Sequence, residues 1–157
     1  MTNDVRIRLM LEADAEHIAK ILRETGWFDH MAEEASNEAA LRIRAQIAMC
    51  LADDSHTVYV AENASGQVVG YASTHWLPSL FLPGSQGYVS ELFVEDSYRG
   101  KRIGARLLDA VASDGSRRNC WRLMLTTNRT RESYRREFYS KRGWIERDTI
   151  ANFVLKL

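Results

Sequence analysis

Val89-Ser90-Glu91-Leu92-Phe93-Val94-Glu95-Asp96-Ser97-Tyr98-Arg99-Gly100-Lys101-Arg102-Ile103-Gly104-Ala105-Arg106-Leu107-Leu108 is the stretch that decides the fold. A half-apolar strand runs into a basic turn, and the turn runs into a helix whose first residues are Arg102 to Ala105. The helix body, 103–113, turns Ile103, Leu107, Leu108 and Val111 to one side at helical spacing. The first backbone N–H groups of a helix lack internal partners, and the helix dipole leaves partial positive charge there. Gly100 and Gly104 let a ligand come close to the backbone. Arg99, Lys101 and Arg102 add charge, so the turn reads as a cradle for a phosphate. Other phosphate cradles fit worse. The dinucleotide fingerprint needs G-x-G-x-x-G and this turn has G-x-x-x-G; a P-loop needs Ser or Thr after Gly-Lys, where Arg102 stands.

The rest of the chain bounds what such a turn serves. Its 157 residues suit one domain, read as 1–157. Hydrophobic residues make up 45% and charged residues 27%, which predicts a sizeable core under a charged surface. Formal net charge is zero, which argues against a dedicated nucleic-acid binder. Basic residues nevertheless crowd between Arg99 and Arg147, which predicts one anion-facing side. The plainer alternative for the arginines outside the turn is a solvated surface with local ion pairs. Cys50 and Cys120 have no metal-ligand spacing and are too few for a disulfide framework, so no metal is expected and a reducing cytoplasm is the expected home. No apolar run approaches ~20 residues, so neither export nor a membrane span is expected.

Periodicity sketches the remaining elements. Val5, Ile7 and Leu9 alternate as a first strand. Residues 14–25 read as a helix with Ala15, Ile18, Ala19 and Leu22 on one face, stopped by Gly26. A loop of large side chains follows at 27–31. Ser36 is placed to cap a second helix with Ala40, Ile43, Ile47 and Leu51 on its buried stripe. Strands at 57–62 and 67–76 join through Asn63-Ala64-Ser65-Gly66 as a hairpin. Residues 77–87 hold both prolines and form a crossing loop. Strands follow at 88–95 and 121–127, a helix at 130–142, a short strand at 144–146 and a last strand at 150–157. One α+β sheet with helices on both faces follows, with parallel crossovers around the two C-terminal helices.

Leu92-Phe93-Val94 and the run from Tyr98 to Leu108 resemble the signature region of the GNAT superfamily of N-acetyltransferases. The family pattern is Arg or Gln, two residues, Gly, one residue, then Gly or Ala. Arg99 and Gly104 match; Arg102 stands where the middle Gly is usual, which a non-glycine residue permits if its backbone stays helical. Phe138-Tyr139-Ser140-Lys141-Arg142-Gly143-Trp144 resembles the family's Phe-Tyr-x-x-x-Gly-Phe segment. The element order is similar over essentially the whole chain. The resemblance implies a GNAT-type α/β sandwich: a mixed, mostly antiparallel sheet of six to seven strands flanked by about four helices. It also implies acetyl-CoA as the acetyl donor, held by Leu92, Phe93, Val94, Arg99, Gly100, Lys101, Arg102, Ile103, Gly104, Ala105, Asn128 and Tyr139.

The resemblance assigns chemistry as well. Tyr139 would protonate the departing thiolate; its plain alternative is an aromatic staple beside Trp144. An amine of pKa ~10.4 lies ~3.4 units above pH 7, so losing its proton costs about 4.6 kcal/mol, and a positioned base would offset part of that. Glu91 is the candidate, as base or as anchor for the substrate ammonium; a solvated strand-edge carboxylate is the alternative. A backbone N–H of Phe93 or Val94 would meet the oxyanion. The fourth strand would splay from the fifth at a bulge, leaving backbone for pantetheine amides. Trp27, Phe28, His30 and Trp76 would frame the acceptor, an amine of a small molecule or peptide; capping of the core or a dimer contact is the alternative for these side chains. Homodimers are frequent in the family, and nucleic-acid and membrane partners are not expected. A non-catalytic acyl-CoA sensor on the same fold is the competing function.

Overall fold

A computed structural model describes residues 4–157, which divide into two compact units on either side of the boundary between Leu125 and Thr126. The first unit holds a five-stranded sheet in the order β1 (Arg6–Leu9), β2 (His56–Glu62), β3 (Val68–Leu77), β4 (Gln86–Val94), β5 (Arg122–Leu125). Neighbours are antiparallel except β4 and β5, which run parallel. The Asn63–Gly66 hairpin forms as its composition predicts. Asn63 Oδ1 accepts from the Ser65 and Gln67 N–H groups, at 3.0 and 2.9 Å, and Gly66 takes φ 80.

Helices α1 (Ala15–Glu24) and α3 (Ser36–Leu51) cover one face of the sheet, and α4 (Ile103–Arg117) covers the other. Ile18, Ile21, Ile43 and Ile47 bury against Val58, Val60 and Tyr71 on the first face. The loop at 27–31 contains an unpredicted short helix, α2 (Asp29–Glu33), which buries Met31. The buried stripe of α3 is Ala39, Ile43 and Ile47, with Leu51 54% exposed, so the stripe sits one residue earlier at its start than the spacing suggested and stops a turn sooner. Ser36 is not the cap: it is the first helical residue, Ala35 precedes it in extended backbone, and the Ser36 hydroxyl accepts instead from Arg23. On the second face Trp76 packs under α4, where its Nε1 donates to Thr57 Oγ1 at 2.7 Å and the Arg118 guanidinium lies 4.8 Å from its ring. Gly87 is required here, because a Cβ would meet Leu123 Cδ2 at 2.5 Å and Trp76 Cζ3 at 2.6 Å.

The second unit corrects two expectations. The helix predicted at 130–142 is α5 (Glu132–Arg135) followed by a single 3-10 turn, Ser140–Arg142. Glu137 takes φ 57, and the Phe138 N–H bonds back to Ser133 O at 2.9 Å while Glu137 N–H bonds to Tyr134 O at 2.9 Å. That paired closure is a Schellman stop, and it ends the helix although no glycine marks it. Gly143, at φ 83, makes the same closure, with Trp144 N–H on Tyr139 O and Gly143 N–H on Ser140 O. The strands expected at 144–146 and 150–157 do not form, so the sheet has five strands rather than six or seven. Strand propensity measures fit to a pleated, half-buried surface, and Ile150, Phe153, Val154 and Leu155 have no such surface against them and stand exposed.

Candidate active site

The β4–β5 pair supplies the framework. Register runs from Gln86↔Arg122 to Val89↔Leu125 and stops, while β4 continues alongside β3 to Val94. A bulge falls between Ser73↔Glu91 and Thr74↔Val89, with Ser90 the extra residue. β5 ends at Leu125, and beyond it the β5-facing backbone of residues 90–94 has no ladder partner among the described residues. Leu92, Phe93 and Val94 sit on this stretch, half-buried.

The turn beyond β4 is tied down at several points. Asp96–Tyr98 is one 3-10 turn, and the Tyr98 hydroxyl accepts from Asn63 Nδ2 at 3.0 Å. Arg99 bonds Val94 O at 3.3 Å and Asp96 at 2.8 Å, and its guanidinium lies 5.8 Å from the Trp27 ring. Lys101 Nζ lies 4.8 Å from the Tyr98 ring. Gly100 takes φ 75, and Arg102 takes φ 62 and ψ 12, the left-handed region. Arg102 therefore does not continue a right-handed helix, as its place in the pattern suggested; the helix begins at Ile103. This is why a glycine is usual here: only glycine enters this region without a Cβ penalty. Helix α4 starts with no side-chain cap and no acid in its first turn. Ile103 and Ala105 are buried, Gly104 is half-buried, and Gly100, Lys101 and Arg102 are exposed. The lack of a side-chain cap, the dipole of a 15-residue helix and three cationic side chains together give this helix start the polarity that favours an anion.

Glu91 lies on the α1–α3 face, half-buried, and Oε2 accepts a short hydrogen bond from the Tyr71 hydroxyl. Burial, then the charge and hydrogen bond of Glu91, push the Tyr71 phenol well above its ordinary value. Burial and the Glu91 charge also raise the Cys50 thiol. Burial and neighbouring His56 hold His75 below its ordinary value, with Glu91 pulling the other way. His75 Nε2 is 2.9 Å from Ser90 Oγ, and the His56 and His75 rings meet at 4.3 Å. Phe93 is the hub of an aromatic wall beside Glu91, with Trp27, Phe28 and Tyr71 ring centroids 5.6, 5.9 and 5.7 Å away. His30 is exposed, 6.2 Å from Phe28. Trp27, Phe28, His30 and Glu91 are thus brought together on one face. Trp76 is not among them: it is 7% exposed and lies on the opposite face, because alternation along β3 turns residues 72, 74 and 76 toward α4. The site residue that sequence reading missed is Tyr71. Its only sequence signal is that it alternates with Ser73 and His75, and nothing in that pattern says Glu91 lies diagonally across.

In the second unit Tyr139 is half-buried between Phe138 and Trp144, at ring separations of 5.0 and 6.4 Å. Burial raises its phenol above the ordinary value, against hydrogen bonds to Thr127 and Ser133 and the charge of Arg131. Tyr139 thus packs against Phe138 and Trp144, and burial disfavours the ionised form of its phenol. Asn128 is exposed, and its Oδ1 closes a local turn by accepting from the Thr130 N–H at 2.9 Å and the Thr130 hydroxyl at 2.8 Å. Among the described residues no group of three or more His, Cys, Asp or Glu is gathered to hold a metal, and no helix is long and apolar enough to cross a membrane.

Solved structures share this fold. A transcriptional regulator from Bacillus halodurans C-125 superposes with a TM-score of 0.82 at 20% identity, over 98% of this chain and 100% of that chain. The ribosomal-protein-alanine N-acetyltransferase of Brucella melitensis biovar Abortus 2308 gives 0.70 at 22% identity, over 98% and 100%. An aminoglycoside acetyltransferase from an uncultured soil metagenomic sample gives 0.79 at 15% identity, over 99% and 98%. Comparison with curated protein sequences finds no match. These structures share the fold, and the family match supplies the class, acyl transfer. Residues 17–144 match the acetyltransferase (GNAT) family, and the chain belongs to it.

Proposed function

We propose that the protein moves the acetyl group of acetyl-CoA to a primary amine of a small molecule or peptide, by direct attack with both substrates bound. The observation that carries the reading is the start of α4: fifteen helical residues with no side-chain cap and no first-turn acid, behind Arg99, Lys101 and Arg102, beyond the end of the β4–β5 pairing. These residues fit a pyrophosphate, and the β5-facing backbone of residues 90–94, which has no ladder partner among the described residues, is offered to the pantetheine amides. Acetyl-CoA supplies the thioester carbonyl and the thiolate leaving group. Glu91 takes a proton from the acceptor ammonium or anchors it, and Tyr139 holds a phenolic proton for the thiolate. The N–H of Val94 meets the oxyanion, because the Glu95 N–H bond to Val69 O makes Tyr71↔Phe93 the hydrogen-bonded pair and turns the Phe93 N–H into β3. Trp27, Phe28 and His30 favour an acceptor with an apolar body beside its amine. We take the whole chain as one catalytic domain, since the family match runs through the boundary at residue 125. The two free cysteines suit a reducing cytoplasm.

Calorimetric titration with acetyl-CoA tests the cofactor, and absence of binding at micromolar concentrations refutes it. Thiol release across a panel of primary amines tests the reaction. Binding without thiol release on every amine would instead support the acyl-CoA sensor.

A further inference from the structure

Tyr71 is 2% exposed, and the hydrogen bond to Glu91 is its hydroxyl's recorded contact. A phenylalanine would fill the same space against Phe93 without burying a hydroxyl, so the hydroxyl's contribution at this position lies in what it does to Glu91. Register makes the contact a diagonal one. Tyr71 pairs with Phe93 and Ser73 pairs with Glu91, so Tyr71 reaches one step along the sheet. Its ring is held by the Phe93 wall, which Trp27 and Phe28 back in turn. The hydroxyl is thus a fixed point, and it engages Oε2 alone. Oε1 has no hydrogen-bond partner among the described residues.

We infer that Tyr71 is a positioning residue: its buried hydroxyl holds Oε2 of Glu91 and presents Oε1 to the acceptor amine. The inference rests on the reading of Glu91 as the group that meets the amine. In the proton transfer, a lone pair of Oε1 forms the new O–H bond. The N–H electron pair stays on nitrogen as the attacking lone pair, and Tyr71 keeps its own proton throughout. The phenol is suited to that constancy, since burial and Glu91 keep it protonated across the working range. The other groups facing Glu91 are Ser73 and His75 of β3, Ser90 of β4 and Cys50 of α3, with His56 of β2 behind His75. Of these, Tyr71 alone has a hydrogen bond recorded to the carboxylate.

The test uses the full chain as wild type, Y71F, E91Q and the double variant. Carbon-13 NMR of the labelled glutamate carboxyls, with E91Q assigning the signal, reads the Glu91 carboxyl directly and without turnover. Losing the phenolic donor changes the shielding of that carboxyl, so Y71F is expected to shift the Glu91 signal at neutral pH. With acetyl-CoA and the fastest acceptor of the amine panel, Y71F is expected to lower kcat about tenfold and leave KM for acetyl-CoA unchanged. Y71F has no further effect in the E91Q background. An unmoved Glu91 signal in a Y71F protein that melts like wild type overturns the inference. So does an equal rate loss with and without Glu91. If the signal moves but E91Q turns over at full rate, the role of Glu91 falls, and with it the part of Tyr71 in the reaction. The two failures are therefore told apart.

Discussion

Arg102 carries a backbone conformation that can be weighed by replacing it with alanine and with glycine. It stands at φ 62 and ψ 12. An L-residue in the left-handed region pays about 1–2 kcal/mol for its Cβ. Glycine avoids that, but loses about 0.4–1 kcal/mol through its more flexible unfolded chain. The difference makes R102G about 0.5–1 kcal/mol more stable than R102A. At this chain length 1 kcal/mol moves Tm by about 2–4 °C, so glycine is expected to melt about 1–4 °C above alanine. Had Arg102 continued a right-handed helix, the order would reverse, with glycine about 1 kcal/mol worse. Sign alone therefore decides, and scanning calorimetry with urea unfolding as a cross-check reads it. Alanine melting at or above glycine refutes the left-handed assignment. Both variants remove the same guanidinium, so titration with acetyl-CoA separates charge from backbone. Equal losses of affinity in the two, shrinking with added salt, identify Arg102 as a contributor of charge.

Three further outcomes follow from the structure. Y139F is expected to slow turnover about 10–100-fold while acetyl-CoA affinity by calorimetry stays at the wild-type value; unchanged turnover removes Tyr139 from the acid role. Asp14 is buried, which alone would raise its carboxyl, but bidentate bonds from Arg8 at 2.8 and 2.9 Å and the Leu11 N–H at 2.8 Å outweigh this and hold it below its ordinary value. A lowered folded-state value stabilises above the unfolded one and is lost as pH falls through it. D14N should therefore cost about 2 kcal/mol at pH 7 and progressively less below pH 3.8, and a urea-midpoint gap that stays constant with pH contradicts this. Thr74 is fully buried and its hydroxyl has no hydrogen-bond partner among the described residues, so T74V should stabilise by about 1 kcal/mol in urea unfolding, and a destabilised T74V would refute the lack of a partner.

Much of this protein was legible in the linear order of its residues. The strand at 88–95, the basic turn, the helix from Ile103 and the Asn63–Gly66 hairpin are local, and local signals predicted them. Apolar spacing, a glycine at a stop and an Asx side chain at a turn each act within a few residues. The family pattern drew on the same local run. Where the sequence misled, the cause lay at a distance or in a single dihedral angle. Leu51 is spaced like a core residue but, as the last residue of α3, stands exposed. Trp76 looks like a pocket residue, yet strand alternation sends it under α4. Residues 150–157 have strand composition, but a strand exists only through a partner. Glu137 stops a helix that no glycine marks. The turn from Arg99 to Gly104 reads as an anion site on charge and helix polarity alone, and those two properties the sequence determines by itself. Two things waited for the tertiary structure: that Arg102 stands left-handed before the helix, and that Tyr71 reaches Glu91. The first depends on how the turn closes, the second on cross-strand register and a bulge at Ser90, and neither is written in neighbouring residues.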